Sequence, residues 1–243
     1  MGSGAAALII GNEVLTAKVT EANGAWLIRR LRERGVVLQC VHFVLDDVDA
    51  IVEALTAVRR RARWIFTSGG IGPTHDDVTV RAVALALGRP VVRLPEIERL
   101  IREHYGEQMK PEALRMAEAP EGAELLHHAD ARYPVLACDE VFMLPGVPEL
   151  FRLQLEAVLA RLPFTPISMQ VLYLSAVEAE VAGALDQVAL AMPEVAIGSY
   201  PTFDRQAGYR VKVTLEHAQP GPVAAAVQRL EALLPPGCLL RRE

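Results

Sequence analysis

The chain has 243 residues, 51% of them hydrophobic and 23% charged, with a formal net charge of -5. This is the composition of an ordinary globular protein with a sizeable core, in one large domain or in one domain with a small companion. The acidic balance argues against a general nucleic-acid binder, which needs a basic face, and no apolar run approaches the roughly 18 residues that would suggest a membrane-spanning helix. Cys40, Cys138 and Cys238 are isolated and odd in number. That usage suits buried free thiols in a reducing cytoplasm better than a disulfide framework or a zinc site. The opening Met1-Gly2-Ser3-Gly4 lacks the charged region of a signal peptide.

In chain order, Ala5 to Ile10 reads as a buried strand ending at Gly11-Asn12-Glu13. Thr20 is placed to cap a helix running to about Arg34, with Gly35 at the position just past a helix end. Val36 to Val44 reads as a second strand. Asp46 or Asp47 then caps a helix whose apolar residues Val48, Ile51, Val52, Leu55 and Val58 recur at helical spacing. Trp64 to Thr67 is a third strand, followed by a glycine-rich loop and a helix to Leu87. This β-α-β-α-β-α order predicts a parallel sheet with helices on both faces. Residues 95–118 read as helix-rich, with Pro95 and Pro111 at first-turn positions. Val141 to Leu144 is another buried strand, leading through Pro145-Gly146-Val147-Pro148-Glu149 into a helix. Beyond Pro163 and Pro166 the pattern changes: a strand over 168–174, a helix over 177–191, a strand over 209–215 and a last helix over 222–234. These form a smaller α+β unit.

The most informative segment is Thr67-Ser68-Gly69-Gly70-Ile71-Gly72-Pro73-Thr74-His75-Asp76-Asp77-Val78-Thr79. A glycine turn between a strand and a helix lets backbone N–H groups approach a ligand with no Cβ in the way, and the helix N-terminus adds partial positive charge. That geometry suits phosphate. The paired carboxylates Asp76 and Asp77 do not suit bare phosphate, so they imply a metal ion or polar substrate groups between. The alternative is a tight connection in which Asp77 or Thr79 caps the helix.

Ligands of parallel α/β sheets bind beyond the carboxyl ends of the strands. Sequence order brings Glu13, Asp46, Asp47, Asp76, Asp77 and Glu149 to that edge. Carboxylates gathered beside a phosphate-type loop point to a divalent cation, although each alone could be a cap or a solvated charge. Arg59, Arg60, Arg61 and Arg63 lie past a helix C-terminus at the opposite edge, where they complement the helix dipole. His127 and His128 would point to opposite faces of a strand, which disfavours a shared metal. His75 lies in the loop, where a lone histidine is usually solvated.

The segment Ser68 to Thr79 resembles the signature of the molybdopterin-binding (MogA/MoaB, molybdenum-cofactor-biosynthesis) superfamily. Gly11-Asn12-Glu13-Val14-Leu15, Asn23 and Pro145 to Glu149 are similar to the branch that contains CinA. Within it, Ile71 to Thr79, Pro148-Glu149-Leu150-Phe151-Arg152 and Gly198-Ser199-Tyr200-Pro201 look most like the molybdopterin-binding-like domain of eukaryotic FAD synthase. The resemblance implies a three-layer α/β/α domain with a mainly parallel sheet over residues 1–164 and a small α+β domain over 165–243. It implies a homo-oligomer that takes a small-molecule nucleotide or a pterin such as molybdopterin at the loop edge. The binding set would be Gly11, Asn12, Asn23, Ser68, Gly69, Gly70, Gly72, Pro73, Thr74, Thr79, Pro145, Gly146, Pro148 and Glu149. In MogA-like members two aspartates serve adenylyl transfer to molybdopterin, and by motif position they match Asp46 and Asp77. The CinA-like branch is associated with divalent-metal-dependent cleavage of nucleotide pyrophosphates such as ADP-ribose, and the FAD-synthase domain with FAD hydrolysis.

The leading expectation is therefore a hydrolase using Mg, Mn, Co or Ni. The amides of Gly69, Gly70 and Gly72 would hold phosphate; Asp46, Asp76 and Asp77 would hold the metal or position water; Glu13 would act behind the metal or as general base. The rival expectations are a non-catalytic pterin or nucleotide binder, and molybdopterin adenylyl transfer. The chain departs from the family pattern at Asn12 (usually Asp), Ala17 (usually Gly) and Glu21-Ala22 (usually Asp-Thr), and the CinA-type segment before Pro145 is absent. The 243 residues end before any deamidase or FAD-forming domain, so neither activity is expected of them.

Overall fold

The first strand feeds two cores at once. β1 (Gly4–Ile10) is buried along its whole length. Its alternate side chains point to opposite faces, so Ala6, Leu8 and Ile10 join one core while Ala5 and Ala7 join another. The structure, a computed structural model, describes residues 4–243, the side chain of Arg205 apart. Met1, Gly2 and Ser3 of the opening segment lie outside the described residues.

From β1 the chain runs through a short helix α1 (Asn12–Leu15), α2 (Asn23–Glu33), β2 (Leu38–Val44), α3 (Val48–Arg59), β3 (Ala62–Ser68) and α4 (Thr79–Leu87). It continues through β4 (Val91–Arg93), α5 (Pro95–Tyr105), β5 (Glu118–Pro120), β6 (Glu124–Leu126), β7 (Val135–Cys138), β8 (Val141–Leu144) and α6 (Pro148–Leu159). A six-stranded sheet has the order β2-β1-β3-β8-β7-β6. The pairs β2-β1, β1-β3 and β3-β8 are parallel; β8-β7 and β7-β6 are antiparallel. One face buries Ile51, Leu55, Val83 and Ile101 of α3, α4 and α5. The other buries Leu27, Leu31, Phe151 and Leu155 of α2 and α6. The result is three layers with a mainly parallel sheet.

The chain divides into two compact units, the first ending at Phe164 and the second spanning Thr165–Glu243. The second unit contains β9 (Ser168–Leu174), α7 (Glu178–Ala191), β10 (Ala196–Pro201), β11 (Val211–His217), α8 (Pro220–Leu233) and β12 (Leu239–Arg242). Its β-α-β-β-α-β order makes an antiparallel sheet β10-β11-β9-β12. Leu172, Leu174, Val213 and Leu215 bury one face of that sheet against Val181, Val188, Val223 and Leu230.

Several local expectations change. Thr20 does not start α2: Ala22 occupies the cap position, and the Glu21 carboxylate accepts the Gly24 N–H at 2.6 Å. Asp47, not Asp46, caps α3, accepting from Ala50 N. Val78 precedes α4 without a side-chain cap among the described residues, so neither Asp77 nor Thr79 plays that part. His127 and His128 lie just past β6 instead of sharing a strand, and they face different carboxylates, Glu96 and Asp130. The segment Pro111–Ala117 winds as a 3-10 helix.

The β7-β8 hairpin turns through Asp139 and Glu140, both with positive φ, 47° and 63°. Two-residue hairpins favour this geometry, but it suits Asn-Gly. Glu140→Gly is expected to stabilise the protein by about 1 kcal/mol, because a Cβ in the left-handed region is strained. The exposed Arg63–Glu140 pair at 3.5 Å that it removes contributes little. A chemical-denaturation midpoint that falls instead would contradict this account of the turn.

Candidate active site at the glycine-loop edge

Four strand ends, of β1, β2, β3 and β8, meet beneath the loop. Gly69 donates its N–H to Leu144 O at 3.0 Å, and Gly11 donates to Val44 O at 3.1 Å. Gly69 has φ +102°, and a Cβ there would lie 2.2 Å from Ile10 O. Glycine is therefore a packing requirement at that point. Gly70 has φ +67° and faces Thr79 Oγ1, and Gly72 lies against the Asp77 carboxylate.

The loop is held by hydrogen bonds to its own flanks. Thr79, fully buried, donates its hydroxyl to Gly69 O at 2.8 Å and its N–H to Gly70 O at 2.9 Å. Asp77 Oδ2 accepts from Thr74 N at 2.8 Å and from Thr74 Oγ1 at 2.5 Å, which closes the Thr74–Asp77 turn. Asn23 is buried and donates its amide to Ser68 Oγ at 2.9 Å and Gly146 O at 2.8 Å. This joins the starts of α2 and α6 to the end of β3. The Ser68 hydroxyl in turn donates to Pro145 O at 3.4 Å.

These contacts sort the predicted binding residues. Ser68, Thr79 and most of Asn23 are buried supports of the loop, not exposed contacts, because their polar atoms already have partners. Asn23 Oδ1 is the exception: it is buried without a hydrogen-bond partner. The N–H groups of Gly11, Gly69 and Thr74 are engaged within the protein, which corrects the expectation that Gly69 offers its amide to phosphate. The N–H groups of Gly70 and Gly72 have no acceptor among the described residues. Pro73 and Thr74 lie on the loop. Pro148, half-buried, and Glu149, exposed, form the first turn of α6.

The carboxylates converge. Asp46 Oδ2 accepts from Asn12 N at 2.7 Å, and Asn12 Oδ1 accepts from Asp46 N at 3.4 Å. Asn12 thus grips Asp46 with acceptor chemistry that an aspartate there would share. Partial burial pushes the Asp46 carboxyl above its ordinary value, and the negative charges of Glu13, Asp76 and Asp77 push it further, against the Asn12 N–H. Asp76 is held below its ordinary value by the Thr74 hydroxyl and by a backbone N–H. The Glu13 carboxylate folds back over Gly11. Among the described residues, no three His, Cys, Asp or Glu side chains form a ready metal cage. Ala17, just past α1, has φ 56°, a conformation that suits the glycine expected there from the resemblance.

One group at this edge has no local signal in the sequence. Arg115, on the 3-10 segment, donates from Nη1 to Pro73 O at 3.4 Å.

Residues 6–164, which carry this edge, match the model of the family described as "Probable molybdopterin binding domain". The chain belongs to that family. Residues 166–243 match the FAD synthase middle domain. A protein of Archaeoglobus fulgidus is 30% identical over 226 residues, 93% of this chain and 95% of its own length. A CinA-like protein of Myxococcus xanthus is 34% identical over 166 residues, 65% of this chain and 39% of that protein. The crystal structure of a CinA protein of unknown function from Thermoplasma acidophilum superposes with a TM-score of 0.60 at 28% identity, covering 65% of this chain and 96% of that one. These likenesses put the chain in the CinA-like branch. No described helix is long and apolar enough to cross a membrane.

Two outcomes test this geometry. Gly70→Ala, which sets a Cβ 2.3 Å from Thr79 Oγ1 at positive φ, is expected to cost about 1–3 kcal/mol in thermal or denaturant unfolding. The second concerns Asp46. A carboxyl with a folded-state pKa above its unfolded value loses stabilisation as pH rises through that window. Asp46→Asn is therefore expected to raise the melting temperature at neutral pH, with the gain vanishing below the ordinary aspartate range. Asn retains an acceptor for the Asn12 N–H. A melting temperature that fell equally at both pH values would show that Asp46 is not strained by its neighbours.

Proposed function

We propose that this edge hydrolyses the pyrophosphate bond of an ADP-containing small molecule, ADP-ribose or FAD being the substrate class. The observation that carries the reading is the partly buried Asp46 carboxyl, raised first by desolvation and then by the nearby charges of Glu13, Asp76 and Asp77, beside a glycine loop with open amides. Like charges gather at such cost where a cation or a polar reactant is to be held.

The donor chemistry fits a hard divalent cation. Asp46 and Asp77 each engage one carboxylate oxygen internally and leave the other open among the described residues. Magnesium characteristically takes one or two carboxylates and completes its shell with water and substrate phosphate. Asp46, with Asp77 or Asp76 as a second carboxylate, would hold the cation, which when bound would offset charge on the phosphoryl oxygens. The chain's own groups do the rest. The Gly70 and Gly72 amides orient a phosphate. Glu13 takes the proton of the attacking water as its oxygen bonds to phosphorus, and the bridging P–O bond breaks to release AMP and a phosphate ester.

The test is incubation with ADP-ribose, FAD, NAD and ATP, each with Mg, Mn, Co or Ni, resolving products by chromatography. Wild type should release AMP, and Asp77→Asn should lower the rate at least a hundredfold. Asn is preferable to Ala because Asp77 also closes the loop turn. Ligand binding without turnover under every metal would convert the reading to a pterin or nucleotide-binding module. Adenylyl transfer would require activity only with ATP and molybdopterin together.

A further inference from the structure

We propose that Arg115 anchors the phosphate of the ligand held at the glycine loop. This rests on the reading that the loop edge takes a phosphate-bearing molecule, and adds a cationic residue to a site otherwise built from acids and backbone amides.

A phosphate approaching this edge meets Glu13, Asp46, Asp76 and Asp77, all of one sign. Partial charges on two glycine amides are a small counterweight. Several arginines of this unit are matched to carboxylates: Arg30 to Glu156, Arg89 to Asp139, Arg102 to Glu98 and Arg161 to Glu124. Arg115 differs. It is exposed, it forms no ion pair among the described residues, and its one hydrogen bond is to Pro73 O, in the glycine loop itself. Its remaining N–H groups have no partner among the described residues.

The backbone on either side of Arg115 is anchored in the core. Ala113 and Ala117, two residues to either side, are buried in the core shared by α3, α4 and α5. That footing places residue 115 beside the loop, where its Nη1 reaches Pro73 O and its other N–H groups stay open. A planar fork with several donors is suited to two oxygens of one phosphate. Asp76 and Asp77 belong to the same loop, yet neither pairs with it, so its charge is not consumed internally.

The experiment is calorimetric titration of wild type, Arg115→Gln and Arg115→Lys with inorganic pyrophosphate and with ADP-ribose, alongside thermal unfolding. Arg115→Gln should weaken both ligands by about ten- to hundredfold. Arg115→Lys, which restores the charge, should recover a good part of the loss, and the melting temperature should not move. Unchanged affinity in Arg115→Gln overturns the proposal. So does an equal loss in both variants with a lowered melting temperature, since Arg115 would then only brace the loop. Arg115-dependent pyrophosphate binding without cleavage of any nucleotide keeps the anchor and removes the hydrolase. Cleavage unaffected by Arg115→Gln does the reverse. A wild type that binds neither probe defeats both.

Discussion

The site depends on a steric constraint at Gly69. The end of β3 passes so close to the end of β1 that a Cβ on Gly69 would lie 2.2 Å from Ile10 O, while Gly69 N–H bonds to the last residue of β8. Three strand ends are thereby gathered at one point. The residues just past each strand are gathered with them: Asn12 and Glu13 after β1, the loop and its aspartates after β3, and Gly146 after β8. Thr79 and Asn23 then lock the arrangement from the starts of α4 and α2. A side chain at Gly69 would separate these groups before it altered any chemistry.

Such tight packing has an electrostatic consequence. Partial burial raises the proton affinity of Asp46, and the nearby charges of Glu13, Asp76 and Asp77 add to it. The loop's hydrogen bonds distribute the charge unevenly. Asp77 is tied to Thr74, Asp46 to Asn12, and Asp76 stands exposed. The edge is thus fixed in shape while its charge remains incompletely balanced.

Much of the frame was legible in the chain. The strict apolar spacing of α3 and α4, the unbroken hydrophobic run of β1, and the glycines after α2 and α4 each have a local cause, so local reading reached them. The short strands β4, β5, β6 and β12 did not announce themselves, because three or four residues carry too little periodicity. The start of α2 was misplaced for a related reason: Glu21 reaches the Gly24 N–H from outside the helix, and a long side chain can do so without a recognisable cap at Thr20. In the second unit the alternation over 209–215 was visible, but the fold assigns the strand to Val211–His217 by its pairing with β9.

By itself the sequence determined the order of the main parallel strands and their helices, the glycine loop, and the set of acidic residues delivered to one sheet edge. Periodicity, turn chemistry and the rule that helices begin beyond the strand ends are the physical causes of all three. Only the tertiary structure decided which of those groups face outward. Ser68 and Thr79, polar in the motif, are buried and engaged in holding the loop, and the Gly69 amide is taken by β8. Only tertiary structure brought Arg115 to Pro73, 42 residues away in the chain. A hydrogen-bond partner is set by distance in space, and no local pattern of residues encodes it.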